Sequence, residues 1–329
     1  MKNQICKMLT VAVLSASLSL IAGAQTVKTT IGFNFPTQGI AVDSRRDLVY
    51  VVAPTDGTAS TDNLAVIDGN QDVLLKNIAV PEGAAFVAVN ELTHRIFVAG
   101  TNTTVTPSLS TVTVIDGSTD TVIRTIDVTT TAGAGLTGIV VNPEDELVYV
   151  ANASDKVIDV IHGGKLVKHC KIGLNGNSPA AIAINPRTNR LYVPFGNSQI
   201  AVVDTLTKHI LTTTTFGSYT EGVAVNVFSG DVFVTDNSYP GQVGILSRHD
   251  KLLASPRVGD FPLGVDVDPI TNLAFVADNG IDSVSVIDGS TNTVTATLSG
   301  IPASYVAVNH SSEKVYVSGR DGVVVLTEK

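Results

Sequence analysis

The sequence is poor in the residues that cross-link small proteins or attract nucleic acids. It has two cysteines, and Cys6 precedes an apolar N-terminal segment, so a processed chain would keep only Cys170 and could form no internal disulfide. Tryptophan is absent, which disfavours many sugar-binding aromatic platforms. The 21 Lys and Arg residues are outnumbered by 30 Asp and Glu residues, giving a formal charge of -9. Binding to nucleic-acid phosphates or to anionic lipid surfaces is therefore disfavoured.

Long apolar runs are also missing, except at the N-terminus. Lys2 and Lys7 precede an apolar run over Met8–Ile21, and the small residues Ala22–Ala24 stand before Gln25. This order is typical of a secretory signal peptide. The run of about 14 residues is shorter than the ~20 that cross a bilayer. We predict a signal peptide over 1–24, no membrane span, and a mature chain that works in the periplasm, at the cell surface or outside the cell.

The chain after this segment repeats itself seven times. Each unit has an apolar segment that ends in Asp or Asn, as in Gly222–Asn226 (GVAVN) and Gly264–Asp268 (GVDVD). The closing residues are 41 to 52 positions apart: Asp43, Asn90, Asn142, Asn185, Asn226, Asp268 and Asn309. Three further β-branched or aromatic segments follow in most units, separated by Gly, Asp and Asn turns, which predicts four strands per unit. The period and the strand count predict an all-β fold, a seven-bladed β-propeller of four-stranded antiparallel blades over 25–329.

The last unit ends after its third strand, Val323–Leu326. The segment Thr26–Gly32 is similar to Thr293–Ser299, the fourth strand of the preceding unit. An open ring would leave unpaired backbone groups at both ends. We therefore predict that the N-terminal strand completes the last blade.

Several segments point to a known family. Tyr149–Asn152 (YVAN), Phe233–Asp236 (FVTD) and Phe275–Asp278 (FVAD) are degenerate forms of a YVTN tetrapeptide, and Val286–Val294 (VIDGSTNTV) matches a turn between third and fourth strands. Along the whole chain after the signal segment, the sequence resembles the YVTN-repeat β-propeller family of extracytoplasmic and surface-layer proteins. The resemblance implies the fold and the compartment. That family shares no catalytic motif, so no activity is implied.

No motif for catalysis, metal binding or cofactor binding stands out. Asp68, Asp116 and Asp288 recur in Val-Ile-Asp-Gly turns, which favours turn stabilisation over metal binding. The six histidines are scattered, without HExxH or calcium-loop spacing. There is no Gly-x-Ser-x-Gly elbow, and the lack of tryptophan counts against quinone-dependent propeller dehydrogenases. We predict no catalytic residue, no metal ligand and no cofactor.

Residues that break the repeat on one face of the ring are the candidates for function. In a propeller, the loops from fourth to first strand and from second to third strand surround one mouth of the central channel. Carboxylates, tyrosines and an arginine there could bind a polar ligand or a partner loop, or could be ordinary solvated loop residues. The candidate ligand-binding residues are Glu82, Asn177, Tyr219, Glu221, Asp236, Tyr239, Asp266, Asp278, Tyr305 and Arg320.

Asp266 is unusual within this set. Most innermost strands have Ala or Val where Asp266 stands. A charge in that position needs partners, because burying an unpaired carboxylate costs several kcal/mol or shifts its pKa. Neighbouring backbone groups could hold it, or it could line a ligand channel.

Two classes of function are consistent with these features. The first is a non-enzymatic binding or scaffolding module, expected to be a monomer, whose channel-mouth loops bind a protein, a cell-envelope partner or a small polar ligand. The second is a metal-dependent lactonase or hydrolase, because Glu82, Asn177, Glu221, Asp236 and Asp266 supply suitable oxygen atoms. The second hypothesis requires these side chains to converge over the channel.

Overall fold

A computed structural model of the chain describes residues 25–55, 61–129, 135–163 and 167–327, without the side chains of 167–169. The predicted signal segment, 1–24, lies outside the described residues. The described residues form 28 strands, and no helix occurs among them. Accordingly, the described part of the chain contains no helix with the length and hydropathy required to cross a membrane.

The strands group into seven sheets of four. The N-terminal strand is β1 (Thr26–Ile31). Blade one has β2 (Ile40–Asp43), β3 (Leu48–Ala53), β4 (Thr61–Asp68) and β5 (Val73–Pro81). Blade two has β6 (Ala84–Asn90), β7 (Arg95–Asn102), β8 (Leu109–Asp116) and β9 (Thr121–Thr129). Blade three has β10 (Leu136–Val141), β11 (Leu147–Asn152), β12 (Val157–His162) and β13 (Val167–Gly173).

The second half of the chain continues in the same order. Blade four has β14 (Ala183–Asn185), β15 (Arg190–Pro194), β16 (Gln199–Asp204) and β17 (Ile210–Thr215). Blade five has β18 (Thr220–Val225), β19 (Val232–Asp236), β20 (Gln242–Leu246) and β21 (Leu252–Ala254). Blade six has β22 (Pro262–Val267), β23 (Leu273–Asp278), β24 (Ser283–Asp288) and β25 (Thr293–Ser299). Blade seven has β26 (Tyr305–Asn309), β27 (Lys314–Gly319) and β28 (Gly322–Thr327), and β1 completes it.

The burial of each strand follows its place in the blade. Every residue of β19 (VFVTD) is buried, because neighbouring blades cover both faces of a middle strand. The outer strand β25 (TVTATLS) alternates between exposed and half-buried residues, because one of its faces meets water. Buried strands are continuously apolar and half-buried strands alternate. The seven-bladed, all-β prediction is therefore confirmed.

The ring closes as predicted, with β1 antiparallel to β28 in blade seven. Val27 stands opposite Leu326 and Thr30 opposite Val324, and the hydroxyls of Thr26 and Thr327 are 3.0 Å apart. This pairing joins the two ends of the described chain in one sheet and leaves no open blade between them.

Buried aromatic side chains stabilise the contacts between blades. The second strand of each blade carries one aromatic residue that is at most 1% exposed: Tyr50, Phe97, Tyr149, Tyr192, Phe233, Phe275 and Tyr316. In several blades the turn between the third and fourth strands of the next blade reaches this ring. A Cβ at Gly289 would lie 2.9 Å from Cζ of Phe233, so glycine is required where this ring reaches the neighbouring turn. The Tyr316 hydroxyl donates to the carbonyl oxygen of Gly69 over 3.2 Å.

The recurring Asp and Asn residues hold turns, as their repetition indicated. The Oδ1 atom of Asn226 accepts the backbone N–H groups of Phe228 and Ser229 at 2.9 and 3.1 Å. Equivalent bonds occur in the other six blades. The Val-Ile-Asp-Gly aspartates act similarly, since Asp288 accepts the Ser290 N–H at 2.7 Å. These side chains satisfy backbone donors in the manner of Asx turns.

The inner strand β14 is two residues shorter than its sequence pattern. The segment starting at Ala181 is apolar throughout, but β14 begins only at Ala183, which pairs with Tyr192. In this register Ala181 would face Pro194, which has no N–H to donate. The ladder therefore stops two residues early.

Candidate functional site

A cavity of about 270 Å³ opens where the inner strands begin, at one mouth of the central channel. The first residue of the repeated inner segment lines it in every blade, and most of these residues are glycine or alanine: Gly39, Phe86, Gly138, Ala181, Gly222, Gly264 and Tyr305. Close approach of the blades explains the glycines. A Cβ at Gly222 would lie 2.1 Å from the carbonyl oxygen of Leu263 in the next blade.

Two aromatic residues replace the small residue in blades two and seven. The rings of Phe86 and Tyr305 meet edge to face, with centroids 6.3 Å apart and planes at 86°. Blade one lies between these blades, and its residue at this level is Gly39, whose lack of a side chain leaves space for the two rings. The pair has the geometry preferred by aromatic contacts. It forms an aromatic wall on one side of the cavity.

Glu221 supplies the negative charge of the cavity. Asn237 donates its side-chain N–H to Oε2 of Glu221 over 2.9 Å. The other carboxylate oxygen, Oε1, and the Tyr305 hydroxyl have no hydrogen-bond partner among the described residues. Burial, reinforced by the negative charge of Glu221, raises the pKa of Tyr305, so this hydroxyl stays neutral at physiological pH.

Asp266 lies deeper, in a second cavity of about 300 Å³ formed by the inner strands. Its Oδ1 accepts the N–H of Val267 at 2.9 Å, and its Oδ2 accepts the N–H of Val308, in the next blade, at 2.8 Å. Burial raises the pKa of Asp266 to about 6, although these two hydrogen bonds act in the opposite direction. Backbone groups therefore hold the carboxylate, and Asp266 also lines this cavity; that the cavity binds a ligand stays a prediction.

Asp236 and Asp278 are fully buried and bind their own blades. Asp236 accepts the backbone N–H groups of Ser218 and Tyr219 at 3.0 and 2.8 Å, and the side chain of Gln242 at 3.0 Å. Burial alone would raise the pKa of Asp236, but these hydrogen bonds together lower it. Asp278 instead accepts the hydroxyls of Ser283 and Ser285 at 3.0 and 2.7 Å, and burial raises its pKa to about 6.

Three other candidates are engaged in local contacts away from the mouth cavity. Glu82 lines a separate groove between blades one and two, where the Thr104 hydroxyl donates to it over 3.1 Å. Asn177 donates to the carbonyl oxygen of Leu174 in its own loop over 3.2 Å. Arg320 forms a two-pronged ion pair with Asp282 at 2.7 and 2.6 Å.

Tyr219 and Tyr239 belong to an exposed apolar arc on the same face. The arc runs over blades four to six and consists of Tyr219, Tyr239, Phe261 and Ile281, which are 49%, 75%, 46% and 49% exposed. Backbone hydrogen bonds join its loops, from Asn237 to Tyr219 at 2.9 Å and from Phe261 to Ser238 at 3.1 Å. Phe261 has a φ of 50°, an unusual conformation for a bulky residue.

Of the ten candidates, the structure thus brings Glu221 and Tyr305 together at the mouth cavity, with Asp266 below them. Phe86 and Thr137 also line this cavity and were not among the candidates. The signal for Phe86 was available in the sequence, since it replaces a small residue at the start of the repeated segment, as Tyr305 does. Thr137 gave no such signal in the sequence. Its hydroxyl donates to the carbonyl oxygen of Pro179 over 2.9 Å.

The oxygen ligands required by a lactonase do not converge among the described residues. Glu221 lines the mouth cavity, Asp266 the deeper cavity and Glu82 a separate groove. Asp236 and Asn177 are committed to their own loops. Over the described part of the chain, no group of three or more His, Cys, Asp or Glu side chains is arranged to hold a metal ion.

Comparison with known proteins agrees with the fold and adds no function. The class defined by the structure is the seven-bladed β-propeller. A solved structure of Kuenenia stuttgartiensis hydrazine synthase is similar, with a TM-score of 0.73 and 16% sequence identity over 91% of this chain and 97% of that one. No family model matches the sequence, and no curated protein matches it. At this identity the likeness shows the fold alone, and the resemblance to YVTN-repeat proteins stays a prediction.

Proposed function

We propose that the chain is an exported binding module of the YVTN-repeat type, without catalytic activity of its own, that binds a protein or cell-envelope partner at the channel-mouth face. Export is supported by the N-terminal sequence, and the family by the degenerate tetrapeptides. The face is chosen because it carries both the mouth cavity and the exposed apolar arc.

The observation that carries this proposal is the arc itself. Four large apolar side chains stay exposed on adjacent loops, although the same loops are fixed by backbone hydrogen bonds and by buried Asp236. Ordered apolar groups that face water beside a cavity are typical of interaction surfaces. Phe261 supports the same conclusion, because its positive φ costs about 1–3 kcal/mol and strained residues of this kind cluster at functional sites.

A capture experiment tests the proposal. The full chain, immobilised, is exposed to the native envelope fraction, and bound proteins are quantified by mass spectrometry. The arc variant is Tyr239→Ser with Ile281→Ser. The matched control is Leu206→Ser with Ile270→Ser, which are 72% and 67% exposed and lie in turns at the opposite end of the strands.

The wild type and the control should capture the same specific partners. The arc variant should capture at least tenfold less of each of them. Equal capture by both variants would reject this face as the binding surface. A hydrolytic activity that survives purification and depends on a divalent ion would reject the non-enzymatic assignment.

A further inference from the structure

Among the described residues, the mouth cavity has a carboxylate and hydroxyl groups that accept hydrogen bonds and has no cationic side chain. Its lining includes no Lys, Arg or His residue and no side-chain amide. Glu221 Oε1 and the Tyr305 hydroxyl have no hydrogen-bond partner in the described part of the chain and can bind a ligand, whereas the Thr137 hydroxyl already donates to a backbone carbonyl. Glu221 Oε1 can only accept, so the ligand that complements it must donate a hydrogen bond, and the Tyr305 hydroxyl can accept a second one.

The charge of the channel favours a cation over a neutral donor. Glu221 at the mouth and Asp266 below it are the charged residues among those that line the two channel cavities. Both cavities are otherwise lined mainly by apolar side chains and glycine, where an unbalanced negative charge is less well solvated than in water. A cation entering the mouth meets a negative potential, and the described residues of the wall include no competing positive group.

The aromatic wall specifies the rest of the ligand. Phe86 and Tyr305 present apolar surface beside Glu221, which suits an alkyl chain, and aromatic faces also attract cations. The volume of about 270 Å³ lies below the usual range of pockets for drug-sized ligands. The site is therefore of a size for one extended side chain rather than a large metabolite.

We infer that the mouth cavity binds a primary ammonium group on an alkyl chain, presented as a lysine side chain by a partner that docks on the apolar arc. The ammonium donates to Glu221 Oε1 and to the Tyr305 hydroxyl, and the alkyl chain lies against Phe86 and Tyr305. The identity of the presenting molecule rests on the proposed function, whereas the cavity chemistry does not.

Titration with a minimal probe tests the cavity directly. The probe is Nα-acetyl-lysine N-methylamide, and binding is followed through the backbone amide resonances of Gly39, Gly222 and Gly264, which line the cavity. The Nε-acetylated form of the probe has the same chain without the charge. Saturable shifts should appear with the first probe and be at least tenfold weaker with the second.

Glu221→Gln keeps the shape of the side chain and should weaken binding at least tenfold. Tyr305→Phe should weaken it two- to fivefold. Glu144→Gln is the control, because it removes one exposed carboxylate from a turn at the other end of the strands, and it should bind like the wild type. Equal binding of both probes, or unchanged binding by Glu221→Gln, would overturn the inference.

The capture experiment separates this inference from the proposed function. Partner capture that needs the arc but survives Glu221→Gln would leave the binding face in place and overturn the lysine contact. Saturable probe binding without any arc-dependent capture would reject the docking face and retain the ammonium site.

Discussion

At the scale of single residues, Asp266 shows how one carboxylate can serve two blades. Its oxygens satisfy the N–H groups of Val267 in blade six and Val308 in blade seven. An innermost strand has one unpaired edge, and an acceptor side chain there meets donors that no strand can reach. The two bonds do not fully offset the loss of hydration, so the pKa is raised to about 6.

This shift predicts a pH-dependent contribution to stability. The folded-state pKa exceeds the unfolded value of ~3.9, so the folded state takes up the proton first and protonation favours folding. The contribution is fully present below the unfolded pKa and is lost as pH rises through about 6. Urea unfolding of wild type and Asp266→Ala at pH 5 and pH 7.5 should show wild type gaining about 1 kcal/mol relative to the variant at the lower pH.

Asp278 has a raised pKa as well, but it is present in both proteins and cancels from the comparison. Asp321→Ala, which removes an exposed carboxylate, is the control and should show no such difference from wild type. A wild-type-minus-variant stability that does not change with pH would contradict the assignment of the shift to Asp266.

Gly222 gives a steric prediction at the same scale. Gly222→Ala would place a Cβ 2.1 Å from the Leu263 carbonyl oxygen, a backbone atom that cannot move without displacing blade six. Overpacking of this kind costs about 1–3 kcal/mol. Gly173→Ala has nothing within 4 Å of its new Cβ and should unfold at the wild-type midpoint. Equal thermal midpoints for both variants would show that the blades are not in contact at the mouth.

At the scale of elements, the second strand of each blade carries the contact to the next blade. Phe233 on β19 is fully buried, and its ring lies against the turn at Gly289 of blade six. Phe228 belongs to the same blade but is 60% exposed, with Arg187 over its ring. Comparing substitutions at these two phenylalanines therefore distinguishes the effect of losing a ring buried between blades from the effect of losing any aromatic ring.

Phe233→Ala should lower the free energy of unfolding by about 3–5 kcal/mol, the range for a buried phenylalanine. Phe228→Ala should cost less than about 1 kcal/mol, since an exposed cation–π contact contributes about that much at most. Chemical denaturation monitored by circular dichroism measures both. Similar losses for the two variants would show that the inter-blade contact is not where the stability lies.

The strands were predictable from the sequence because every blade has the same strand order and therefore the same pattern of buried, half-buried and turn residues. Period-two alternation, the aromatic position and the Asx turns recur seven times, so one unit explains the others. The exception was the start of β14, which depends on the missing N–H of Pro194 in the partner strand. Strand boundaries of this kind are decided by the neighbour and not by the segment itself.

The candidate site was less predictable, because convergence is a property of loops from different blades. Asp236 and Asp278 occupy the same place in adjacent blades, yet one caps a loop and the other accepts two serine hydroxyls. No sequence pattern distinguishes those fates. Only the positions that break the repeated pattern of the inner strands, Phe86, Asp266 and Tyr305, could have been selected by symmetry alone.

At the scale of the whole molecule, closure of the ring determines whether the seven blades are stable as a single folded unit. The blade-seven junction with blade one adds charged groups to the usual aromatic contact. Lys28 of β1 and Lys314 of β27 both bind Asp72, at 2.5 and 2.9 Å. Lys314 also donates to the carbonyl oxygen of Gly69. The strand from the N-terminus is thus bound both to β28 and to the first blade.

Deletion of Thr26–Phe33 should therefore lower the free energy of unfolding by more than the length of the segment suggests. It removes every pair in the β1–β28 ladder, exposes the edge of β28, and leaves Asp72 with one cation instead of two. The expected loss is a large fraction of the ~5–15 kcal/mol that stabilises a domain, with aggregation through the exposed edge. Lys28→Met is the matched control, because it removes only a half-exposed charge and should cost about 1 kcal/mol or less. A deletion variant that melts at the wild-type temperature would mean that the ring is stable without β1, and the seven blades would then have to be held together by their inter-blade contacts alone.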